Sequence, residues 1–238
     1  MDGHLILALE TATGCGGAAL TRGGRAGGRL LAECSLYPES APSRRLLGMA
    51  RDLLRDCGLD FADLDAVAVS RGPGSFTGLR IGMAAGQGLA FGLGKPLVAV
   101  PTLDALAAGM PPLDMPLWAL LDARKGQVYA ACYDTARTAA DGLPERLGPY
   151  LVCAPDRLFA EIAASGRPAC CIGPGLAACG GALENHPDIR VAPAGASYPR
   201  AALVSFCAAE LLTRGVVTEN IPLYVRASEA ELDLKRAS

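Results

Sequence analysis

Histidine is almost missing from this sequence. There are two in 238 residues, His4 and His186. No His-x-x-x-His and no His-Glu-x-x-His occurs, so two imidazoles cannot share one helix face to hold a metal. Gly-x-Ser-x-Gly is also absent, which removes the usual nucleophile turn of a hydrolase. No lysine follows the glycine-rich stretch, so there is no Gly-x-x-x-x-Gly-Lys-Ser/Thr phosphate loop. The nine cysteines include no Cys-x-x-Cys and most sit in apolar runs. They are read as core-filling reduced thiols of a cytoplasmic protein. No apolar run reaches the ~20 residues of a membrane span, and Glu10 interrupts residues 4–9 before they could form a leader. A net charge of −2 gives no ground for unaided nucleic-acid binding.

What is present begins with glycine, 29 in all, and with an apolar fraction of 51% against 19% charged. That balance belongs to a folded chain long enough for two lobes. Residues 71–82 read Arg-Gly-Pro-Gly-Ser-Phe-Thr-Gly-Leu-Arg-Ile-Gly. They follow a strand pattern at 65–70 and open an apolar helix over Ser75–Leu93. Gly78, Gly82, Gly86 and Ala90 recur every four residues on one stripe of that helix. Each interior glycine costs roughly 1 kcal/mol against alanine, so another helix is expected to lie close along the stripe. A partner's helix is the expected neighbour.

One order of elements is expected twice. In the first half, strands Leu5–Thr11, Gly17–Thr21 and Arg29–Leu36 precede a helix over Arg44–Cys57, strand 65–70, the glycine helix and strand Leu97–Val100. In the second, strands Leu117–Asp122, Gln127–Tyr133 and Tyr150–Cys153 precede a helix over Asp156–Ala164. Strand Ala169–Ile172, a helix over Gly175–Leu183, strand Ile189–Ala192 and a last helix over Pro199–Thr213 follow. Residues 134–148 read as an exposed loop, and the prolines in 109–116 as a linker. The pattern predicts a layered α/β fold, with lobes at 1–101 and 102–238 and the last helix, about 199–214, packing back on the first lobe.

Two stretches offer groups for an anion or nucleotide. Glu10 and Thr11 end the first strand, where a carboxylate and hydroxyl could hold a metal–phosphate group, as in actin-like sugar kinases and chaperone ATPases. Gly74, Ser75 and Thr77 open the glycine helix, whose free amides suit an anion. The bland alternatives are a strand end with Glu10 bonded to backbone amides and a tight strand-to-helix turn. Asp122 and Arg124 either face an inter-lobe cleft or simply pair with each other.

Taken together, four segments resemble one family. Ile6-Leu7-Ala8-Leu9-Glu10-Thr11-Ala12 resembles its opening strand, and Ser70–Gly82 its most diagnostic stretch. Leu121-Asp122-Ala123-Arg124-Lys125-Gly126-Gln127-Val128-Tyr129 is similar to its mid-chain hairpin, and Pro222-Leu223-Tyr224-Val225-Arg226 to its closing Pro-x-Tyr-x-Arg. This is the bacterial TsaB (YeaZ) family of tRNA threonylcarbamoyladenosine biosynthesis. Two departures stand out: Glu10 where the family commonly has Asp, and Pro42-Ser43 where a His-Ser pair often opens the first helix.

The resemblance implies an actin-like ATPase (ASKHA, RNase H-like) fold of two lobes. It implies a non-catalytic, dimerising subunit with no metal or cofactor of its own, which pairs with the paralogue TsaD. TsaE joins that complex, which uses ATP and Mg²⁺, and tRNA is met mainly through it. It also implies a homodimer when the chain is alone. The pairing surface maps to the first two helices: Leu46, Met49 and Leu53 on one, Gly78, Leu79, Gly82, Met83, Gly86, Leu89 and Ala90 on the other. On that mapping, Gly82→Leu or Gly86→Leu is expected to abolish pairing and spare the fold. The alternative is an ASKHA-type kinase or ATPase acting alone, with Glu10 at its metal–phosphate site.

Overall fold

The computed structural model describes residues 3–36 and 43–226. Pro42 and the tail after Arg226 lie outside them. The first sheet holds β1 (Leu5–Glu10), β2 (Gly16–Arg22), β3 (Arg29–Leu36), β4 (Ala66–Gly72) and β5 (Leu97–Pro101), in the order β3-β2-β1-β4-β5. The strands β1, β2 and β3 pair antiparallel, while β4 and β5 run parallel to β1. All six residues of β1 are buried, because helices cover both faces of the sheet; a continuous apolar run is what such a central strand needs.

The second sheet holds β6 (Leu117–Arg124), β7 (Gln127–Thr138), β8 (Pro144–Arg146), β10 (Ala169–Ile172) and β11 (Ile189–Val191), in the order β11-β10-β6-β7-β8; β9 (Leu151–Cys153) also pairs with β7. Helices α1 (Ser43–Asp56) and α2 (Phe76–Leu93) cover the outer face of the first sheet, packing with Leu5, Leu7, Leu9 and Val69. Helix α4 (Pro155–Ala164) and a 3₁₀ segment, Pro174–Asn185, kinked at Gly180, cover the outer face of the second. The result is the two-lobed actin-like (RNase H-like) architecture, two mixed sheets flanked by helices.

Two helices fill the space between the sheets. Helix α3 (Thr102–Ala108) places Leu103, Leu106 and Ala107 among the residues of the second sheet, although it directly follows the first. Helix α5 (Ala201–Thr213) packs Ala201, Val204, Cys207, Ala208 and Leu211 on the first sheet. A buried hydroxyl pair, Thr21 Oγ1 to Ser205 Oγ at 2.7 Å, pins α5 to β2. Asp104 of α3 accepts from the hydroxyls of Tyr133 (2.6 Å) and Tyr150 (2.8 Å), anchoring α3 to the second lobe. Burial holds the Asp104 carboxyl above the usual carboxylate range, and the two phenols pull it back.

Three expectations need correction. Residues 134–148 are not an exposed loop: β7 continues to Thr138, turns back into β8, and buries Leu143 at 3% exposure among residues of α5. Helix α3 was not expected, because its seven residues are too short to show a period beside the proline-rich 109–116. The segment read as a helix over Gly175–Leu183 is 3₁₀ with a break at Gly180, whose backbone takes φ +49°. None of the nine cysteines is in a disulfide and six are buried. Burial pushes the thiols of Cys132 and Cys179 up to about 11, which suits inert core filling.

Candidate functional site

Two surfaces collect the residues singled out by sequence: the cleft between the lobes and the outer side of α2. The cleft encloses about 460 Å³. Its first wall is Ala12, Thr13 and Gly14 after β1, with Gly74, Ser75, Phe76 and Thr77 at the start of α2; its second wall is Leu121–Lys125 and Tyr129 of the β6–β7 hairpin, with Arg226. The tight β4–α2 turn brings Gly74 against Ala12, with φ +158° and no space for a side chain beside the Ala12 carbonyl. Ser75 N donates to that carbonyl at 2.6 Å, and Ser75 Oγ caps α2 by accepting from Gly78 N at 3.2 Å. The opposite hairpin turns through Arg124 (φ 62°) and Lys125 (φ 54°). The Arg124 guanidinium lies 3.4 Å from the Asp122 carboxylate.

Glu10 does not reach this cleft. It is 1% exposed, and its Oε1 accepts from Ala12 N at 2.6 Å. No partner for Oε2 is found among the described residues. Desolvation pushes its carboxyl up to about 7, against the smaller opposing pull of the Ala12 and Ser70 hydrogen bonds. Thr11 is also buried; its Oγ1 donates to Gly78 O at 2.8 Å. Of the five residues expected at an anion or nucleotide, the structure therefore puts Gly74, Ser75 and Thr77 on the cleft wall and turns Glu10 and Thr11 inward. No group of three or more His, Cys, Asp or Glu side chains suited to a metal ion forms among the described residues.

The glycine stripe is where the structure departs most from the sequence reading. A Cβ at Gly78 would overlap the Thr11 carbonyl, one at Gly82 the Thr11 hydroxyl, and one at Gly86 the Val69 side chain. The stripe faces the chain's own sheet, not a partner. Its neighbours follow: Gly82, Gly86, Leu79, Met83 and Ala90 are buried inside the first lobe, as is Leu46 of α1. Met49, Leu53 and Leu89 are partly buried in the core that α1 and α2 share, and Gly78 is partly buried as well. The glycines let a helix approach a sheet, and the helix that was expected beside them is a strand.

The outer side of α2 carries a second small-residue stripe that the sequence reading passed over. Ala84, Gly88 and Gly92 are spaced four apart and exposed, next to Phe91 at 91% exposure. A Cβ at Gly88 or Gly92 would meet none of the described residues within 4 Å. On α1, Leu47 is exposed as well, and a Cβ at Gly48 would meet none of the described residues within 4 Å. The same spacing rule that found the inner stripe picks out the outer one. Both stripes are apolar, so periodicity alone does not rank them.

The chain is similar to known proteins in sequence and in fold. A family described as TsaD: tRNA N6-adenosine threonylcarbamoyltransferase matches residues 38–150. The tRNA threonylcarbamoyladenosine biosynthesis protein TsaB of Bacillus subtilis is 36% identical over 144 residues, which cover 60% of this chain and 59% of that protein. The protein of the same name from Escherichia coli is 40% identical over 137 residues, 54% of each chain. The matched part thus spans little more than half the length of these curated relatives. The solved structure of YeaZ from Pseudomonas aeruginosa superposes with a TM-score of 0.74 at 30% identity, covering 93% of this chain and all of that one.

Proposed function

The chain belongs to the TsaB (YeaZ) family, and from that premise we propose that it serves tRNA threonylcarbamoyladenosine synthesis as a non-catalytic platform. Its partner is a TsaD-type threonylcarbamoyltransferase, which it holds and activates for adenosine 37 of tRNAs reading ANN codons. The names of the relatives in Bacillus subtilis and Escherichia coli support the process. One observation carries the platform role: the outer stripe of α2. Interior glycines at 88 and 92 each cost the helix roughly 1 kcal/mol, and none of the described residues approaches them to offset that cost. A second helix lying along Ala84, Gly88 and Gly92 would, with Phe91 supplying apolar area at its margin.

The buried position of Glu10 favours the platform over a kinase or ATPase acting alone. A metal–phosphate site needs its carboxylate in the cleft, and this one is turned into the core with its oxygen bonded to Ala12 N.

The test is size-exclusion chromatography with light scattering, on the chain alone and mixed with the TsaD of the same organism. A homodimer that converts to a heteromer on mixing is the expected outcome. A chain that elutes unchanged in the presence of TsaD overturns the platform role.

A further inference from the structure

The segment after α5, residues 216–226, has no regular secondary structure, yet much of it is held. Thr218 Oγ1 accepts from Ala99 N of edge strand β5 at 2.9 Å. Glu219 pairs with Arg71 at 3.0 Å. Asn220 O accepts from Gln87 Nε2 at 2.9 Å, and Leu223 N donates to Arg71 O at 2.6 Å. The segment therefore runs antiparallel beside α2, toward its N-terminus.

At that end it changes lobes. Tyr224 stacks on Phe76 with centroids 4.9 Å apart, and its hydroxyl accepts from Arg80 Nε at 3.2 Å. The Arg80 guanidinium also lies 3.9 Å over the Phe76 ring. The next residue, Val225, packs on the core of the second lobe. Arg226 then enters the cleft and donates through one nitrogen to Ala123 O at 3.1 Å and Gln127 Oε1 at 3.2 Å, both on the β6–β7 hairpin. Three consecutive side chains thus grip the first lobe, the second core and the second hairpin in turn.

We propose that residues 216–226 form an inter-lobe brace, in which Tyr224 and Arg226 bind the β6–β7 hairpin to the first turn of α2 and hold the cleft at a set width. In a two-lobed fold a ligand in the cleft can bridge the walls; here Tyr224 on the first lobe and Arg226 on the second hairpin do so together. A charge-assisted contact to a carbonyl is stronger than a neutral one, and stacking with a cation over the ring adds to it. The brace follows the flank of α2 from Gln87 to Phe76, so it also sets how α2 presents its outer stripe.

The brace does not depend on the pairing role, and its test is read on the full chain without any partner. Hydrogen exchange of Arg226→Ala and Tyr224→Ala is compared with the unaltered protein. In both variants, amides of the hairpin (122–128) and of the first turn of α2 (76–80) are expected to exchange about tenfold faster, while β1 and β10 stay protected. Faster exchange confined to 216–226, with the hairpin unmoved, overturns the brace. If either variant fails to fold, Gln127→Ala removes one acceptor and leaves both lobes complete. It is expected to raise exchange in the hairpin and in residues 224–226 together, and a response in neither overturns the proposal.

Discussion

Glu10 and the glycines of α2 show how much one buried atom can decide. The Glu10 carboxyl is neutral in the folded chain up to about pH 7, because burial raises it from an ordinary 4.5. In the unfolded chain it ionises near its ordinary value. Below both values neither state pays for a charge, so stability is greatest there. Between about 4.5 and 7 the unfolded state sheds its proton first, stability falls as pH rises, and above 7 the loss levels off. The full shift corresponds to about 3 kcal/mol. Glu10→Gln is therefore expected to be more stable than the unaltered protein at pH 8 and to show a flatter dependence between pH 4.5 and 7. Urea unfolding at several pH values checks this, and equal slopes for the two proteins would count against it.

The two glycine stripes give opposite predictions at the same scale. Gly86→Leu forces a branched side chain into Val69 and Leu97 and should cost about 3 kcal/mol or more in stability. Gly88→Ala adds a methyl group in open space and should stabilise the free chain by about 1 kcal/mol. Thermal unfolding of the two variants separates them. The earlier expectation that Gly86→Leu spares the fold does not hold, because the stripe it lies on is the inner one.

At the scale of the element, α2 acts as a two-sided part. Its inner stripe lets it settle on β1 and β4, with Thr11 Oγ1 reaching Gly78 O. Its flanks are taken by α1 and by the brace. Among the described residues nothing covers the outer stripe, and there the pairing prediction belongs. Gly88→Arg projects a long charged side chain from that surface without touching the core. It should weaken binding to TsaD by at least about 30-fold, the size of a central interface position, with an unfolding midpoint close to that of the parent. Titration calorimetry measures the first and thermal unfolding the second. Unchanged affinity would move the partner off this face of α2.

Across the whole molecule, the two lobes exchange helices. Helix α3 leaves the first sheet to cover the second, and α5 returns from the second to cover the first. Neither half has a closed core without the other. Residues 1–116 expressed alone lack α5, so Ile6, Ala8, Ala68 and Val100 would face water on the sheet's inner side. Such a fragment should show strand and helix signals in the far ultraviolet, little near-ultraviolet dichroism and a tendency to aggregate. A fragment with dispersed amide resonances and a cooperative melt would show that the lobe is self-sufficient.

Much of this was legible in the chain itself. Strand Arg29–Leu36 and strand Ala169–Ile172 stand at the residues their apolar patterns indicate. The core thiols and the family resemblance came from composition and motif order. These are local properties, set by side-chain period and backbone preference within a few residues. The fate of residues 134–148 was not local, since their strand exists only by pairing with β7 and packing on α5. Nor was the brace, whose partners lie on average a hundred or more positions away. The direction of the glycine stripe was not local either. With small apolar residues on two faces and only Arg80 and Gln87 as polar marks, the sequence of α2 states that it packs closely twice over and leaves open against what. Only the placement of β1 and β4 beneath one stripe decided which face is core and which is left for a partner.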